Sequence, residues 1–221
     1  MIKAVVLLWV RGWLLCLVAG YASPAAADYL NEADQAPHEK CGYCHELDGN
    51  PRMTRYPRLA GQQRDYMVKQ LKDFRSGRRT GEMQGTAELL SDRDIDIVSE
   101  YFSQQAVKLP QLDSQPGADQ RLAKSLYQYG DSTRGLLACS ACHGAVGLGG
   151  AAIPRLAGQH EAYLLQQLGE FKAGQRSNDV EAQMGDISRL LSDTEIAVLS
   201  AYLSRLKPNK NNSLKVLDER N

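Results

Sequence analysis

The chain has 221 residues, enough for one large domain or two small ones, and its 43% apolar content excludes a disordered protein. Its 26 Lys and Arg balance 26 Asp and Glu, so no global basic field indicates a nucleic-acid-binding protein. Only five cysteines are present, and four of them fall in two pentapeptides.

The first 27 residues have the order of a secretory signal. Lys3 and Arg11 bracket a first apolar run, GWLLCLVAG follows, and ASPAAA ends in small residues. We predict cleavage between Ala27 and Asp28, which also removes the fifth cysteine. An uncleaved membrane anchor is the alternative, but Arg11 leaves too short an apolar run for a span of about 20 residues.

The rest of the chain is a tandem duplication of one unit. PRLAGQ begins at Pro57 and again at Pro154, each time followed by an amphipathic segment, a methionine and LLSD. A CxxCH motif precedes both copies, as CGYCH at 41–45 and CSACH at 139–143. We therefore predict two domains, at 28–110 and 119–207, joined by a linker at 111–118 and followed by a polar tail at 208–221.

Each unit is predicted to be helical. Apolar residues recur every three to four positions from Gln62 to Phe74, and Gly77 and Gly174 are suited to end such helices. The capping signals at Ser91 and Ser192 predict the final helix of each unit. A helix is also expected from Asp119 to Tyr129, whereas Pro37 shortens or breaks its counterpart before the first CxxCH. No stretch alternates with period two, so the predicted fold class is all-α.

The CxxCH motif is the attachment signature of c-type haem. On a helix, positions i, i+3 and i+4 share a face, so two thiols can bind the porphyrin while the imidazole reaches the iron. We predict that Cys41, Cys44, Cys139 and Cys142 attach two haem c groups, with His45 and His143 as iron ligands. A zinc site, a redox dithiol or structural disulfides are the alternatives, but none of them explains a histidine after both pairs.

The sixth iron ligand distinguishes a carrier from a catalyst. Met184 is the only methionine after His143, and Met83 is its counterpart in the first unit, where Met53 and Met67 compete. We predict Met83 and Met184 as ligands and Met67 as a core residue. His38 and His160 have no counterparts, so we expect them to be exposed surface histidines. His–Met ligation leaves no vacant position for a substrate and favours electron transfer.

The arrangement resembles the di-haem cytochrome c4 family, which consists of two class I cytochrome c domains in tandem. The likeness spans the mature chain and rests on both CxxCH motifs, both PRLAGQ segments, Met83 and Met184, and the LLSD-led helices. It implies a small helical bundle around each haem, with the Pro57 and Pro154 carbonyls accepting the imidazole N–H. It also implies a periplasmic protein, membrane-associated in some members, that relays electrons from a bc1-type complex to a terminal oxidase.

Two other functions remain open. The protein could be a permanent cytochrome subunit of an oxidoreductase, such as a flavocytochrome sulfide dehydrogenase. It could also be an enzyme itself, such as a peroxidase or thiosulfate oxidase, if one axial site were labile. We expect no enzyme activity.

One stretch of the first unit is strongly basic. Between residues 52 and 79 it has nine cations, namely Arg52, Arg55, Arg58, Arg64, Lys69, Lys72, Arg75, Arg78 and Arg79. A docking face for an acidic redox partner is one hypothesis. A solvated face, in which one or two arginines pair with haem propionates, is the other.

Overall fold

A computed structural model describes residues 35–109 and 118–207 of the chain, called here the first half and the second half. The predicted signal at 1–27, the tail at 208–221 and nearly all of the linker at 111–118 lie outside the described residues.

Helices make up both halves. The first half contains α1 (Pro37–His45), α2 (Arg64–Arg75), α3 (Met83–Glu88) and α4 (Asp92–Ser103). The second half contains α5 (Ala118–Tyr129), α6 (Ser140–His143), α7 (Glu161–Lys172), α8 (Gln183–Leu190) and α9 (Asp193–Arg205), with 3-10 turns at Ser132–Arg134 and Val180–Ala182. Over the described ranges, β structure is limited to two isolated bridges, Asp131 with Leu136 and Gly150 with Ile153. The predicted all-α class is therefore confirmed.

The helix ends follow the predicted signals. Ser91 Oγ accepts the N–H of Asp94 at 3.1 Å, and Ser192 Oγ accepts the N–H of Glu195 at 3.2 Å. Both serines complete reciprocal capping boxes, which satisfy backbone donors at the starts of α4 and α9. Pro37 lies at the first turn of α1, where a missing N–H costs nothing.

Each half has its own hydrophobic core. In the first half α2 packs on α4 and buries Met67, Val98 and Phe102. In the second half α9 packs on both α5 and α7. The buried apolar residues of this second core are Ala123, Leu126, Tyr127, Leu136, Leu164, Leu191, Ile196, Leu199 and Leu203. The burial of Met67, at 6% exposure, confirms its prediction as a core residue.

The helices that the structure describes do not meet the requirements of a membrane span. None of them combines the length and the apolar character that a membrane-spanning helix needs.

Candidate haem sites

Both CxxCH motifs end in a buried histidine at the end of a helix. Cys41, Cys44 and His45 lie on α1. Cys142 and His143 end α6, which begins one residue after Cys139. His45 is 4% exposed and His143 is 7% exposed. Helical spacing therefore presents two thiols and one imidazole together, as covalent haem attachment requires.

A proline carbonyl orients each of these imidazoles. His45 Nδ1 lies 3.0 Å from the Pro57 oxygen, and His143 Nδ1 lies 3.0 Å from the Pro154 oxygen. A carbonyl oxygen only accepts, so Nδ1 carries the proton and Nε2 keeps its lone pair. Burial lowers the pKa of both histidines, and the hydrogen bond to the proline carbonyl raises the pKa by a smaller amount. The predicted hydrogen bonds are thus present, and each ring is a neutral imidazole with Nε2 available to a metal.

The loops between histidine and proline close through one repeated contact. The carbonyl of Gly49 accepts the N–H of Leu59 at 2.9 Å and of Ala60 at 3.0 Å. In the second half, the Gly147 carbonyl accepts from Leu156 at 2.8 Å and from Ala157 at 3.0 Å. These bonds fix the chain that follows each proline, and so hold the carbonyl that orients the histidine.

No disulfide bond joins the four cysteines that the structure describes. All four are free, and burial raises the pKa of Cys41 and of Cys139 to about 11. Across the described part of the chain, no group of three or more His, Cys, Asp or Glu side chains is arranged to hold a metal ion. This donor set fits two thioether links and one imidazole ligand, and it does not form the tetrahedral thiolate cluster of a zinc site.

The two candidate methionines occupy equivalent places. Met83 is the first residue of α3 and Met184 is the second residue of α8, and both are half-buried. Asp179 Oδ2 accepts the N–H of Met184 at 2.7 Å, which fixes the start of α8. Met53, the competing candidate, is 56% exposed. Met83 and Met184 thus both lie at the start of the short helix that precedes the final helix of their half.

The expectation of exposed surface histidines is wrong for both residues. His160 is 7% exposed, and its Nε2 donates to the Pro51 carbonyl of the other half at 2.9 Å. His38 is half-buried, and its ring stacks on Tyr101 with centroids 3.9 Å apart. Each histidine makes a packing contact that pairs residues distant in sequence, which helical periodicity alone does not reveal.

The basic stretch at 52–79 is not one free docking face. Arg58, Lys69 and Arg79 donate hydrogen bonds to the second half. A further three cations form ion pairs within the first half, namely Arg64 with Asp96, Arg75 with Asp92 and Arg78 with Asp73. The docking face therefore stays a hypothesis, limited to the cations that do not bond to the second half, and Arg79, at 8% exposure, is not one of them.

The halves meet through matched polar contacts. Gln62 Oε1 accepts the N–H of Arg155 at 2.7 Å, and Gln62 Nε2 donates to the Arg155 carbonyl at 3.1 Å. Gln159 pairs with the backbone of Arg58 in the same way, at 2.7 and 3.1 Å. Because equivalent residues exchange equivalent bonds, the contact between the halves has pseudo-two-fold symmetry.

The symmetry extends to two buried arginines. Arg79 donates to Gln70, Gln167 and Tyr163 at 2.7, 2.6 and 3.1 Å. Arg176 donates to Gln167, Gln70 and Tyr66 at 2.7, 3.1 and 3.1 Å. This network was not predicted from the sequence, although a signal for it is present. Polar residues that are identical in both copies, such as Gln70 and Gln167, indicate a contact that both copies make.

Known proteins share this architecture. A family model for cytochrome c matches residues 124–207. A cytochrome c4 of Pseudomonas aeruginosa is 36% identical over 196 residues, which cover 87% of this chain and 96% of the relative. The chain belongs to the cytochrome c4 family. The crystal structure of reduced cytochrome c4 from Pseudomonas stutzeri matches with a TM-score of 0.71 and 35% identity, covering 78% of this chain and 97% of that one.

This cytochrome c4 family member is also similar to an electron acceptor protein. A thiosulfate dehydrogenase electron acceptor of Stutzerimonas stutzeri is 37% identical over 175 residues, covering 75% of this chain and 78% of the relative. Membership of the family makes the protein a di-haem electron-transfer cytochrome with two covalently bound haem c groups. The thiols and oriented imidazoles described above fit that cofactor.

Proposed function

We propose that the protein is a periplasmic electron carrier that accepts electrons from a bc1-type complex and delivers them to a terminal oxidase. The observation that carries this proposal is the buried histidine that follows each CxxC pair, its Nδ1 bonded to a proline carbonyl at 3.0 Å in both halves. The same site, built twice in one chain, is suited to passing electrons between two centres.

The residue roles follow from the site chemistry. Cys41 and Cys44 attach one haem and Cys139 and Cys142 the other, while Pro57 and Pro154 orient the histidines as carbonyl acceptors. His45 with Met83, and His143 with Met184, would ligate the irons of the two haems. Haem c supplies one-electron chemistry when bound, and a thioether ligand favours its ferrous state. Ligation from both sides leaves substrate no vacant position, which supports a carrier over an enzyme.

Export and domain organisation complete the proposal. Residues 1–27 act as a cleaved signal, and 28–110 and 119–207 are the two cytochrome c domains. Covalent haem attachment by CxxCH suits an exported protein. A peripheral association with the membrane would bring the carrier close to its membrane-bound donor and acceptor.

Stopped-flow mixing with purified complexes tests the electron-carrier role. The oxidised protein should be reduced by a bc1-type complex with its quinol, and then reoxidised by membranes that contain a terminal oxidase. Carbon monoxide added to the reduced protein at neutral pH is the control for a labile axial site. Rapid carbon monoxide binding, or a failure of both electron-transfer steps, would contradict the carrier function.

A thiosulfate dehydrogenase is the second candidate donor. The similarity to a protein described as a thiosulfate dehydrogenase electron acceptor favours this possibility. Mixing with such an enzyme and thiosulfate should then reduce the protein at least as fast as the bc1-type complex does. Stable copurification with a catalytic subunit would instead favour a permanent subunit of an oxidoreductase such as a flavocytochrome sulfide dehydrogenase.

A further inference from the structure

Arg155 places a buried positive charge at the contact between the halves. Its side chain is 2% exposed, and Nη2 donates to the Ala60 carbonyl at 2.9 Å and to the Arg58 carbonyl at 3.4 Å. Nε donates to the Gly61 carbonyl at 3.2 Å, and Nη1 donates to the Ala157 carbonyl. Among the described residues, no carboxylate forms an ion pair with this guanidinium.

The equivalent arginine of the first half is arranged differently. Arg58 is half-buried, and Nη1 donates to the Gly158 carbonyl at 2.8 Å. The backbones of Arg58 and Arg155 are held symmetrically by Gln159 and Gln62. The guanidinium of Arg155 donates to four carbonyls, whereas that of Arg58 donates to one. This difference breaks the pseudo-two-fold symmetry of the contact between the halves.

The guanidinium of Arg155 lies beside the segment that orients His45. Its acceptors Arg58, Ala60 and Gly61 follow Pro57 directly, and the Pro57 carbonyl binds His45 Nδ1. Arg155 belongs to the second half by sequence, but three of the four carbonyls that accept from its guanidinium lie in the first half. The fourth, that of Ala157, follows Pro154, whose carbonyl binds His143 Nδ1.

The charge of Arg155 persists at neutral pH and is weakly screened. Burial, with the neighbouring Arg58 cation, lowers the pKa of Arg155 to about 10, which still leaves it protonated. A buried cation interacts more strongly with nearby charges than an exposed one, because water does not screen it. Oxidation of a haem iron adds positive charge, so a nearby fixed cation disfavours the oxidised state.

We propose that Arg155 raises the reduction potential of the first haem, which is the haem attached through Cys41 and Cys44. Arg155 acts across the contact between the halves, and it thereby helps to set the difference in potential between the two haems. The proposal rests on the proposed ligation of iron by His45. It gives the contact an electronic role in addition to its structural one.

Redox titration of charge variants tests this inference. The midpoint potentials of both haems are measured by NMR in the wild-type protein and in R155Q, R155K and R78Q. R155Q should lower the potential of the first haem more than that of the second, and R155K should stay closer to wild type. R78Q removes the same charge from a side chain that is 68% exposed, so it should leave both potentials unchanged.

Three results would overturn the proposal. The first is that R155Q has an intact spectrum and unchanged midpoint potentials, and the second is that R155Q shifts the potential of the second haem more than that of the first. The third is that R155K shifts the potential of the first haem as much as R155Q does. If the spectrum of the oxidised wild-type protein lacks the weak far-red band of methionine-ligated ferric haem, the proposed ligation by histidine and methionine is contradicted, whatever the potentials show.

A second pair of variants applies if R155Q does not accumulate. R58E places a carboxylate next to a retained Arg155, whereas R58Q only removes the Arg58 charge. The first haem of R58E should have a lower potential than that of R58Q. Equal potentials in the two variants would overturn the proposal.

Discussion

Gln62 of the first half holds both backbone polar groups of Arg155 in the second half. Its Oε1 accepts the Arg155 N–H at 2.7 Å, and its Nε2 donates to the Arg155 carbonyl at 3.1 Å. Because Arg155 is buried, no water replaces these bonds if the amide is lost. The contact between the halves therefore depends on a few polar side chains with specific partners.

Replacement of Gln62 should destabilise the protein. Q62A leaves a buried N–H and a buried carbonyl unpaired, and we expect a loss of about 1–3 kcal/mol in the free energy of unfolding. Chemical denaturation of the haem-loaded protein, followed by circular dichroism, measures this loss. Q104A, at an exposed position on the same half, is the control and should change little. Equal stabilities of the two variants would contradict a structural role for the Gln62 amide.

Asp73 should make the stability of the protein sensitive to acid. Its carboxylate is buried and accepts from Lys69 at 2.5 Å and from Asn178, in the other half, at 2.7 Å. Burial alone would raise the pKa of Asp73, but these hydrogen bonds outweigh it and hold the pKa below its usual value. The contribution of the ionised Asp73 carboxylate to the free energy of unfolding is therefore fully present above the ordinary aspartate pKa of about 4. It is lost as the pH falls through the lower pKa that Asp73 has in the folded protein.

D73N should remove this acid-dependent component. At neutral pH we expect it to cost about 1–3 kcal/mol, since Lys69 and Arg78 lose their ionised partner. Below pH 4 its unfolding free energy should fall less steeply than that of the wild type, as denaturant titrations over a pH series would show. D92N removes a carboxylate that is 70% exposed and should cost at most about 1 kcal/mol. A wild-type acid profile in D73N would refute this account of Asp73.

A repeated glycine offers a matched comparison of the two haem loops. A Cβ at Gly49 (φ +69°) would lie 2.6 Å from the backbone nitrogen of Ala60, whereas at Gly147 (φ +70°) the nearest atom is 3.2 Å away. Both substitutions incur the left-handed backbone penalty of about 1–2 kcal/mol, and G49A adds a clash with backbone. We expect G49A to lower the yield and thermal stability of the haem-loaded protein more than G147A does. The reverse order would show that the loop geometry does not limit stability.

Sequence reasoning predicted the elements that local signals determine. The capping serines Ser91 and Ser192 mark the starts of α4 and α9, and the predicted helix from Asp119 corresponds to α5. The Pro57 and Pro154 contacts came from the family resemblance, and the structure has both. The short helices that begin around Met83 and Met184 were not predicted, because they lack an extended apolar stripe.

The contact between the halves could not be predicted from local signals. Arg79, Arg155 and His160 are polar residues that periodicity assigns to the solvent, but packing of the halves buries all three. Their partners in the other half lie 84 to 109 positions away along the chain. The repetition of Arg79 as Arg176 and of Gln62 as Gln159 was the available signal, and it indicates a surface that both copies share.

Optical spectra of methionine variants test the central claim, that each of the two haems is held between a histidine and a methionine. Pyridine haemochrome analysis should give two haems per chain. M83A and M184A should each lose part of the weak far-red band of the ferric protein, the double variant all of it, and the control M53A none. A colourless wild-type protein, or a far-red band that survives in the double variant, would contradict the account.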